Sequence, residues 1–253
     1  RDIIFIGRQK RYETYDLYMV KPHPLIDRRD VFEVTERMDF RGEALEPLDM
    51  ESVDRAVASI REGGYESVAV ALLHAYANDE HERKIQAALS RALPGVEVSI
   101  SSVISPKYRE YERSITTVAN AYVKPILGQY LKQLQGSLDS FGFKPQLLVM
   151  QSNTGLVSIE TARKFPIRIV ESGPAAGVLM CSVVGKEEGH SNVLTFDMGG
   201  TTAKLGAIDN SQPAIAQTFE IDTVRYKRDS GLPLNISAVE LLEIGAGGGS
   251  IAS

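Results

Sequence analysis

Apolar residues follow a helical spacing in two stretches of the first hundred residues and a strand-like spacing in two others. From Asp49 they recur at i, i+3, i+4 and i+7 and stop at a Gly-Gly pair, which predicts an amphipathic helix over 49–64. A continuous apolar run at 67–73 predicts a strand covered on both faces. Residues 79–82 predict a capping box that opens a second helix, and alternation at 96–100 predicts a second strand. This order of elements is typical of an α/β layer.

Other stretches carry shorter or weaker patterns. Apolar residues at 2–7 and alternation at 31–38 each predict a strand, and a long helical pattern begins at Ser105 and continues past Pro125. Within that helix, the charged residues of 109–113 fit either a salt-bridged surface or a role in a cleft between lobes.

Polar residues follow a short apolar strand at 147–150. Amide and hydroxyl groups at the end of a strand are where open α/β sheets place ligands. Asn153 and Thr154 are therefore candidates for binding a substrate, and a plain capping turn is the alternative.

Residues 193–208 form the stretch with the most specific chemistry. They predict a strand ending at Asp197, a tight Gly199-Gly200-Thr201-Thr202 turn, and a second strand returning. Glycine lets backbone N–H groups approach an anion, threonine hydroxyls add donors, and a carboxylate can hold hydrated Mg²⁺ against phosphate oxygens. An ordinary Gly-Gly hairpin turn needs only two such residues. We therefore expect the hairpin to bind a phosphate group.

Two segments flank this hairpin in the sequence. Glu171 precedes a run of small residues that predicts a helix start, with Ser172 or Gly173 as its cap. Further on, Gly247, Gly248 and Gly249 belong to a glycine-rich stretch that follows an apolar run. That stretch predicts either a second anion cradle or a close-packed crossing, and we favour a ligand-binding wall that faces Asp197. The list of predicted nucleotide-binding residues is thus Gly199, Gly200, Thr201, Thr202, Glu171, Gly247, Gly248 and Gly249.

Composition narrows the classes of partner. A net charge of −5 with interspersed signs argues against nucleic acid or an anionic membrane as the main partner. One cysteine excludes an internal disulfide framework and suits a cytoplasmic protein, and no apolar run reaches the length of a membrane span. His74 and His81, with the acids of 79–82, match no metal-ligand spacing, so we expect cap and loop groups there rather than a transition-metal site.

Five blocks of residues, at 106–123, 151–156, 172–178, 196–204 and 244–252, resemble in content and order the hydantoinase A/5-oxoprolinase family. That family includes N-methylhydantoinase A and the acetone carboxylase β subunit, and it is part of the actin-like ATPase superfamily. The resemblance implies an α/β fold of two ribonuclease H-like lobes, which we place at 1–135 and 136–253. A first phosphate loop lies upstream in such proteins and no second copy exists here. We therefore expect the chain to be a fragment that is inactive alone.

The resemblance also implies a reaction. It suggests an ATP- and Mg²⁺-dependent hydrolase that opens a cyclic amide such as a hydantoin or 5-oxoproline by phosphorylating its carbonyl oxygen, often with a B-type partner subunit. Asp197 and Lys204 would be the catalytic residues, with Glu171 helping to hold metal-bound water. Lys204 would either neutralise charge on the transferred phosphoryl group or form a salt bridge. The alternatives are the ATP-using subunit of an acetone-type carboxylase acting on a ketone, a small-molecule kinase, or a nucleotide-gated module without catalysis.

Overall fold

The computed structural model describes residues 2–224, 227 and 229–250. The chain divides into two compact units, one made of Arg1–Lys132 and Glu220–Asn235, the other of Gln133–Phe219 and Ile236–Ser253. The assignment of lobes to 1–135 and 136–253 stays a prediction.

Elements up to residue 140 are these: α1 Ile3–Ile6, β1 Arg37–Met38, β2 Ala44–Glu46, α2 Met50–Gly63, β3 Ser67–Val70, α3 Glu80–Ala92, β4 Glu97–Ile100, α4 Ser101–Ile104 and α5 Glu110–Ser140, with a 3₁₀ turn at Arg28–Asp30. They are followed by β5 Leu148–Met150, β6 Leu156–Ser158, α6 Ile159–Lys164, a 3₁₀ turn at Pro166–Ile169, α7 Ser172–Glu187, β7 Val193–Met198, β8 Ala203–Asp209, β9 Gln212–Pro213, β10 Ile215–Ala216, β11 Phe219–Ile221, β12 Leu232–Leu234, β13 Ala238–Val239 and β14 Leu241–Ile244.

The first unit contains the α/β layer that the apolar pattern predicts. Strands β3 and β4 are parallel, with Ser67 opposite Glu97 and Val70 opposite Ile100. Helices α2 and α3 pack on them through the apolar residues of the predicted spacing, and the core is formed by buried side chains that include Val53, Val57, Ile60, Val70, Ile85, Leu89, Val98 and Ile100. These helices, and the two strands to within a few residues, are confirmed.

Several local predictions in the first unit are wrong. Residues 2–7 contain the short helix α1 instead of a strand, and only Arg37–Met38 of the predicted strand 31–38 is paired. A short apolar run lacks the periodicity that separates helix from strand. The capping box at 79–82 does not form, because the Asp79 side chain caps no backbone N–H and Glu80 N donates instead to Asn78 Oδ1.

Helix α5 runs through Pro125, and its first turns are buried on all sides from Glu112 to Ala121. The charged run at 109–113 is therefore more than a solvated face. Arg8 Nε donates to Glu112 Oε1 at 2.6 Å, and Arg113 is only 1% exposed. Burial lowers the pKa of Arg113 from its ordinary value, although nearby carboxylates, Glu82 first among them, oppose that shift.

The second unit contains an antiparallel sheet in the order β14-β8-β7, with β9 paired to β8. Helix α7 covers one face of this sheet through Ala175 and Val178, which pack against Ile208 and Val239. The helix begins at Ser172 and Glu171 occupies its N-cap position without a side-chain cap bond, so the prediction of Ser172 or Gly173 as cap is wrong.

Strand β7 lies at an edge of this sheet. Its alternate residues Leu194, Phe196 and Met198 are 80%, 62% and 50% exposed. These three side chains point away from α7, because the other alternate set carries Thr195, which lies on the α7 side near Val178. Within the described ranges, no helix has the length and apolar character needed to cross a membrane.

The cap of α2 provides a test of the first unit. Asp49 accepts the backbone N–H groups of Glu51 and Ser52 at 3.0 and 3.2 Å. We expect Asp49→Ala to lower the free energy of unfolding by about 1 kcal/mol, because two N–H groups lose their acceptor. Urea unfolding measures the change. Asp54→Ala on the exposed side of the same helix should leave stability unchanged or slightly raised, and an equal loss in both variants would contradict the capping role.

Candidate functional site

The hairpin of β7 and β8 places Asp197 directly opposite Lys204 in the strand register. Its loop is closed by Gly199 N, which donates to Thr202 O at 3.0 Å. The N–H groups of Gly200 and Thr201 donate no hydrogen bond to any residue that the structure describes. They lie at the exposed tip, so the loop presents two open donors, as binding a phosphate requires.

The two loop glycines do not serve the turn itself. Neither has a positive φ, and a Cβ built on Gly200 would meet no atom within 4 Å. The protein's own packing therefore does not require glycine at 200. The missing side chain leaves space in front of the loop, which a phosphate could fill.

Gly247, Gly248 and Gly249 lie against this loop. Gly248 N donates to Gly199 O at 2.9 Å and Gly249 N to Gly200 O at 3.2 Å. A Cβ on Gly247 would come within 2.5 Å of backbone atoms of Gly200 and Thr201. Of the two alternatives for this stretch, the structure thus has the close-packed crossing. The ligand role of these three glycines stays a prediction. The backbone N–H groups of Gly248 and Gly249 already donate to the hairpin loop and are not available to a ligand.

Lys204 is held between two carboxylates. Its Nζ lies 2.7 Å from Glu171 Oε2, at the start of α7, and 3.4 Å from Glu243 Oε1 on β14. Partial burial pulls the pKa of Lys204 down, but the hydrogen bond and charge of Glu171, aided by Glu243, outweigh it and raise the pKa above its ordinary value. The side chain is therefore a permanent cation and a donor, not a base.

Asp197, Lys204 and Glu243 form a row across three strands, because residues directly opposite in antiparallel strands share a face. With Glu171, the row carries three carboxylates and one ammonium, a net charge of −2. That charge beside an open phosphate-type loop suits a divalent cation. No cluster of three or more His, Cys, Asp or Glu side chains is arranged to hold a metal within the described residues, so Asp197 binding Mg²⁺ through water remains a prediction.

Asn153 and Thr154 form the turn between β5 and β6. Asn153 Oδ1 accepts the N–H of Gly155 at 3.0 Å, and Thr154 has a φ of 70°. This is the capping turn that the sequence left open as an alternative. Their role in binding a substrate stays a prediction.

The sequence analysis did not identify two residues of this region, Ser152 and Glu243. Ser152 is fully buried, accepts the N–H of Glu171 on its Oγ at 3.2 Å, and accepts Val239 N on its carbonyl at 2.8 Å. It thereby fixes the start of α7 to the β5–β6 turn. Glu243 is the second carboxylate on Lys204. A charged residue inside an otherwise apolar strand was the available signal for Glu243, and Ser152 gave none beyond its place among polar neighbours.

Comparison with known proteins gives matches along the whole chain. Residues 113–253 match the family model described as Hydantoinase/oxoprolinase, and residues 1–93 match the model of its N-terminal region. An uncharacterised protein of Methanocaldococcus jannaschii is 41% identical over 256 residues, which cover 100% of this chain and 38% of that protein. Caprolactamase subunit alpha of Pseudomonas jessenii is 30% identical over 249 residues, covering 98% of this chain and 35% of the subunit. The chain therefore spans little more than a third of either relative.

Solved structures agree with these matches. A crystal structure of the ATP-dependent caprolactamase of Pseudomonas jessenii has a TM-score of 0.80 at 27% identity and covers 100% of this chain and 35% of its own. A nucleotide-free structure of acetone carboxylase, described in terms of ATP-dependent acetone carboxylation, has a TM-score of 0.75 at 25% identity, covering 85% and 29%. Both likenesses are consistent with the mixed α/β architecture, and the finer assignment to actin-like lobes stays a prediction.

The two kinds of glycine in the hairpin region can be told apart by substitution. We expect Gly247→Ala to lower the free energy of unfolding by about 1 to 3 kcal/mol, because its methyl group would overlap backbone of the loop. Gly200→Ala should leave stability unchanged, since its methyl group meets no protein atom. Thermal or urea unfolding of both variants checks this, and a greater loss for Gly200→Ala than for Gly247→Ala would contradict the packing described.

The ion pair of Lys204 predicts non-additive losses. We expect Lys204→Met to destabilise the protein by about 1 to 3 kcal/mol, because Glu171 and Glu243 then lie together without their shared cation. The double variant Lys204→Met, Glu171→Gln should recover part of that loss, since one of the unpaired charges is gone. A double-mutant cycle in urea measures the coupling. Strict additivity would show that the pair contributes nothing.

Proposed function

The chain belongs to the hydantoinase/oxoprolinase family, and we propose that it is the nucleotide-binding part of an ATP-dependent enzyme that opens a cyclic amide of the hydantoin or 5-oxoproline type. One observation carries this proposal. The hairpin tip presents two N–H groups that donate to no residue within the described ranges, and an aspartate lies opposite a salt-bridged lysine at its base. Relatives whose names denote lactam opening or ATP-dependent carboxylation support the reaction class.

In this proposal the loop binds and orients the phosphates. The N–H groups of Gly200 and Thr201 donate to phosphate oxygens, and the hydroxyl groups of Thr201 and Thr202 add two further donors. Asp197 would hold, through a bound water, the Mg²⁺ that accompanies the nucleotide. When bound, ATP would supply the phosphoryl group that makes the amide carbon open to attack by water.

Lys204 would act by position and charge. Since its pKa is raised, it stays protonated and can attract phosphate oxygens, but it cannot accept a proton from water. Its salt bridge to Glu171 also fixes that carboxylate near the base of the hairpin. Glu171 could then help to orient metal-bound water. Lys204 would thus both form the salt bridge and neutralise charge on the phosphoryl group, the two roles that the sequence left open.

Gly248 and Gly249 would support the loop from behind. Their donation to the carbonyls of Gly199 and Gly200 fixes the peptide planes of the loop, so that its remaining N–H groups are already oriented when phosphate arrives. A loop held in this way loses little entropy on binding.

An acetone-type carboxylase is the second candidate function, favoured by the TM-score of 0.75 to acetone carboxylase. Both reactions transfer a phosphoryl group to a carbonyl oxygen, and the hairpin residues would serve either. The subunit names of relatives also support a partner subunit. We propose that such a partner completes the reaction on the activated substrate.

The experiment is substrate-stimulated phosphate release. The full-length protein, with its partner if one co-purifies, is assayed with ATP and Mg²⁺ plus hydantoin, 5-oxoproline, caprolactam, or acetone with bicarbonate. We expect stimulation by a cyclic amide. Asp197→Ala should reduce it at least about a hundredfold, because the metal loses its carboxylate.

Asp209→Ala provides the matched control. This aspartate lies exposed at the far end of β8 and should leave stimulation unchanged. Stimulation by acetone with bicarbonate alone would select the carboxylase alternative. Unchanged turnover in Asp197→Ala would refute the role of the hairpin.

A further inference from the structure

The β5–β6 turn, residues 151–155, has a strained backbone. Gln151 N donates to Gly155 O at 2.7 Å and Thr154 N donates to Gln151 O at 3.1 Å, so main-chain bonds close the turn. Thr154 has a φ of 70°, in the left-handed region that a β-branched residue rarely adopts. Such a conformation is costly and persists only where the surrounding structure enforces it. The turn therefore stores strain that a bound molecule could release.

Ser152 attaches this turn to three other segments. It is fully buried, its N–H donates to Arg168 O at 2.8 Å, and its carbonyl accepts Val239 N at 2.8 Å. These two bonds fix its main chain to the 3₁₀ turn at Pro166–Ile169 and to β13. Its Oγ accepts the N–H of Glu171 at 3.2 Å. A shift of the turn is thereby passed to the start of α7.

Glu171 connects the turn to the hairpin. Its carbonyl accepts Ala175 N at 3.1 Å, which makes it the N-cap residue of α7, and its side chain forms no capping bond. Because the carboxylate is not used as a cap, it can reach Lys204 Nζ at 2.7 Å. Ser152 thus holds the main chain of Glu171, while the side chain of Glu171 holds Lys204.

Lys204 carries the effect to the predicted phosphate loop, because it lies opposite Asp197 in the strand register. Of its two carboxylates, Glu171 is nearer than Glu243, at 2.7 Å against 3.4 Å, and less exposed, at 19% against 48%. Glu171 is therefore the stronger partner. The contacts from the turn to the hairpin run through Ser152, Glu171 and Lys204, all within the second unit.

We propose that Ser152 is a positioning residue that couples the β5–β6 turn to the hairpin, by holding Glu171 where its carboxylate orients Lys204. That Ser152 sets the position of Glu171 stands on the contacts above. That the coupling makes phosphate release depend on substrate rests on the function proposed above, with Asn153 or Thr154 as the contact to the substrate. Substrate binding would then change the strain at Thr154, and Ser152 would pass the shift to Glu171.

The first test uses the full-length protein without nucleotide and measures the pH midpoint at which Lys204 loses its proton. Competitive acetylation over a series of pH values, read by mass spectrometry, gives this midpoint. Partial burial lowers the pKa of Lys204 and Glu171 raises it, so loosening Glu171 should lower it. We expect Ser152→Ala to move the midpoint down by roughly half a pH unit or more.

Ser182→Ala is the matched control for this shift. Ser182 is also a buried serine of the second unit, and its hydroxyl donates to Ser211 O at 2.8 Å, about three helical turns along α7 from Glu171. Its loss should leave the Lys204 midpoint unchanged. Ser152→Cys fills the same space with a weaker acceptor, should give a smaller shift in the same direction, and carries the test if Ser152→Ala does not fold. An unchanged midpoint in the Ser152 variants, or an equal shift in Ser182→Ala, would overturn the proposal.

Phosphate release tests the coupling to substrate. With ATP, Mg²⁺ and hydantoin, 5-oxoproline or caprolactam, we expect Ser152→Ala to lower the stimulated kcat about tenfold, while KM for ATP and release without substrate stay within about twofold. The reason is that the loop expected to bind ATP is untouched. Ser182→Ala should keep its stimulation. A loss in Ser152→Ala that is equally large with and without substrate would show a merely structural role and contradict the coupling.

The outcomes for this proposal and for the proposed function can be told apart. If a cyclic amide stimulates the parent protein and Ser152→Ala equally, the amide-opening function survives and the coupling is refuted. If no cyclic amide stimulates the parent protein, while Ser152→Ala shifts the Lys204 midpoint and Ser182→Ala does not, the proposed function fails and the positioning of Glu171 by Ser152 is supported.

Discussion

The salt bridge between Lys204 and Glu171 is the interaction on which the arrangement of the second unit depends. It joins the first residue before α7 to the middle of the hairpin sheet, and Glu243 extends it to the third strand. One cation thus sets the position of a helix terminus relative to the loop beside it. Glu171 and Glu243 share that one cation, and Asp197 lies opposite it in the strand register, so the site keeps a net negative charge. A bound divalent cation would neutralise the remaining net charge of −2 at the site.

Much of the framework could be predicted from the chain because its signals are local. The spacing of apolar residues in α2 and α3 and the continuous run in β3 need no knowledge of distant neighbours. The hairpin could be found for the same reason, since strand, turn and strand follow one another in sequence. The family, too, was identified from blocks in linear order.

What escaped prediction depends on contacts between residues far apart in sequence. The sequence pattern placed Glu82 in a capping box, yet its carboxylate accepts hydrogen bonds from Leu72 and from two serines after β4. Gly248 looked like a ligand donor, but its N–H reaches back about fifty residues to the hairpin. Ser152 connects three segments, and no short window of sequence contains more than one of them. In each case the local pattern suggests one role and a distant partner sets the actual one. For Glu82 and Ser152, which are fully buried, an unmet hydrogen bond would be costly.

Strand β7 carries a further consequence for the behaviour of the chain in solution. Among the described residues it has no strand partner on one side, and it carries a row of solvent-facing leucine, phenylalanine and methionine. This combination promotes strand-to-strand association. This edge therefore lowers the colloidal stability that the net charge of −5 provides. We therefore expect concentrated preparations to associate through this strand unless another chain or segment covers it.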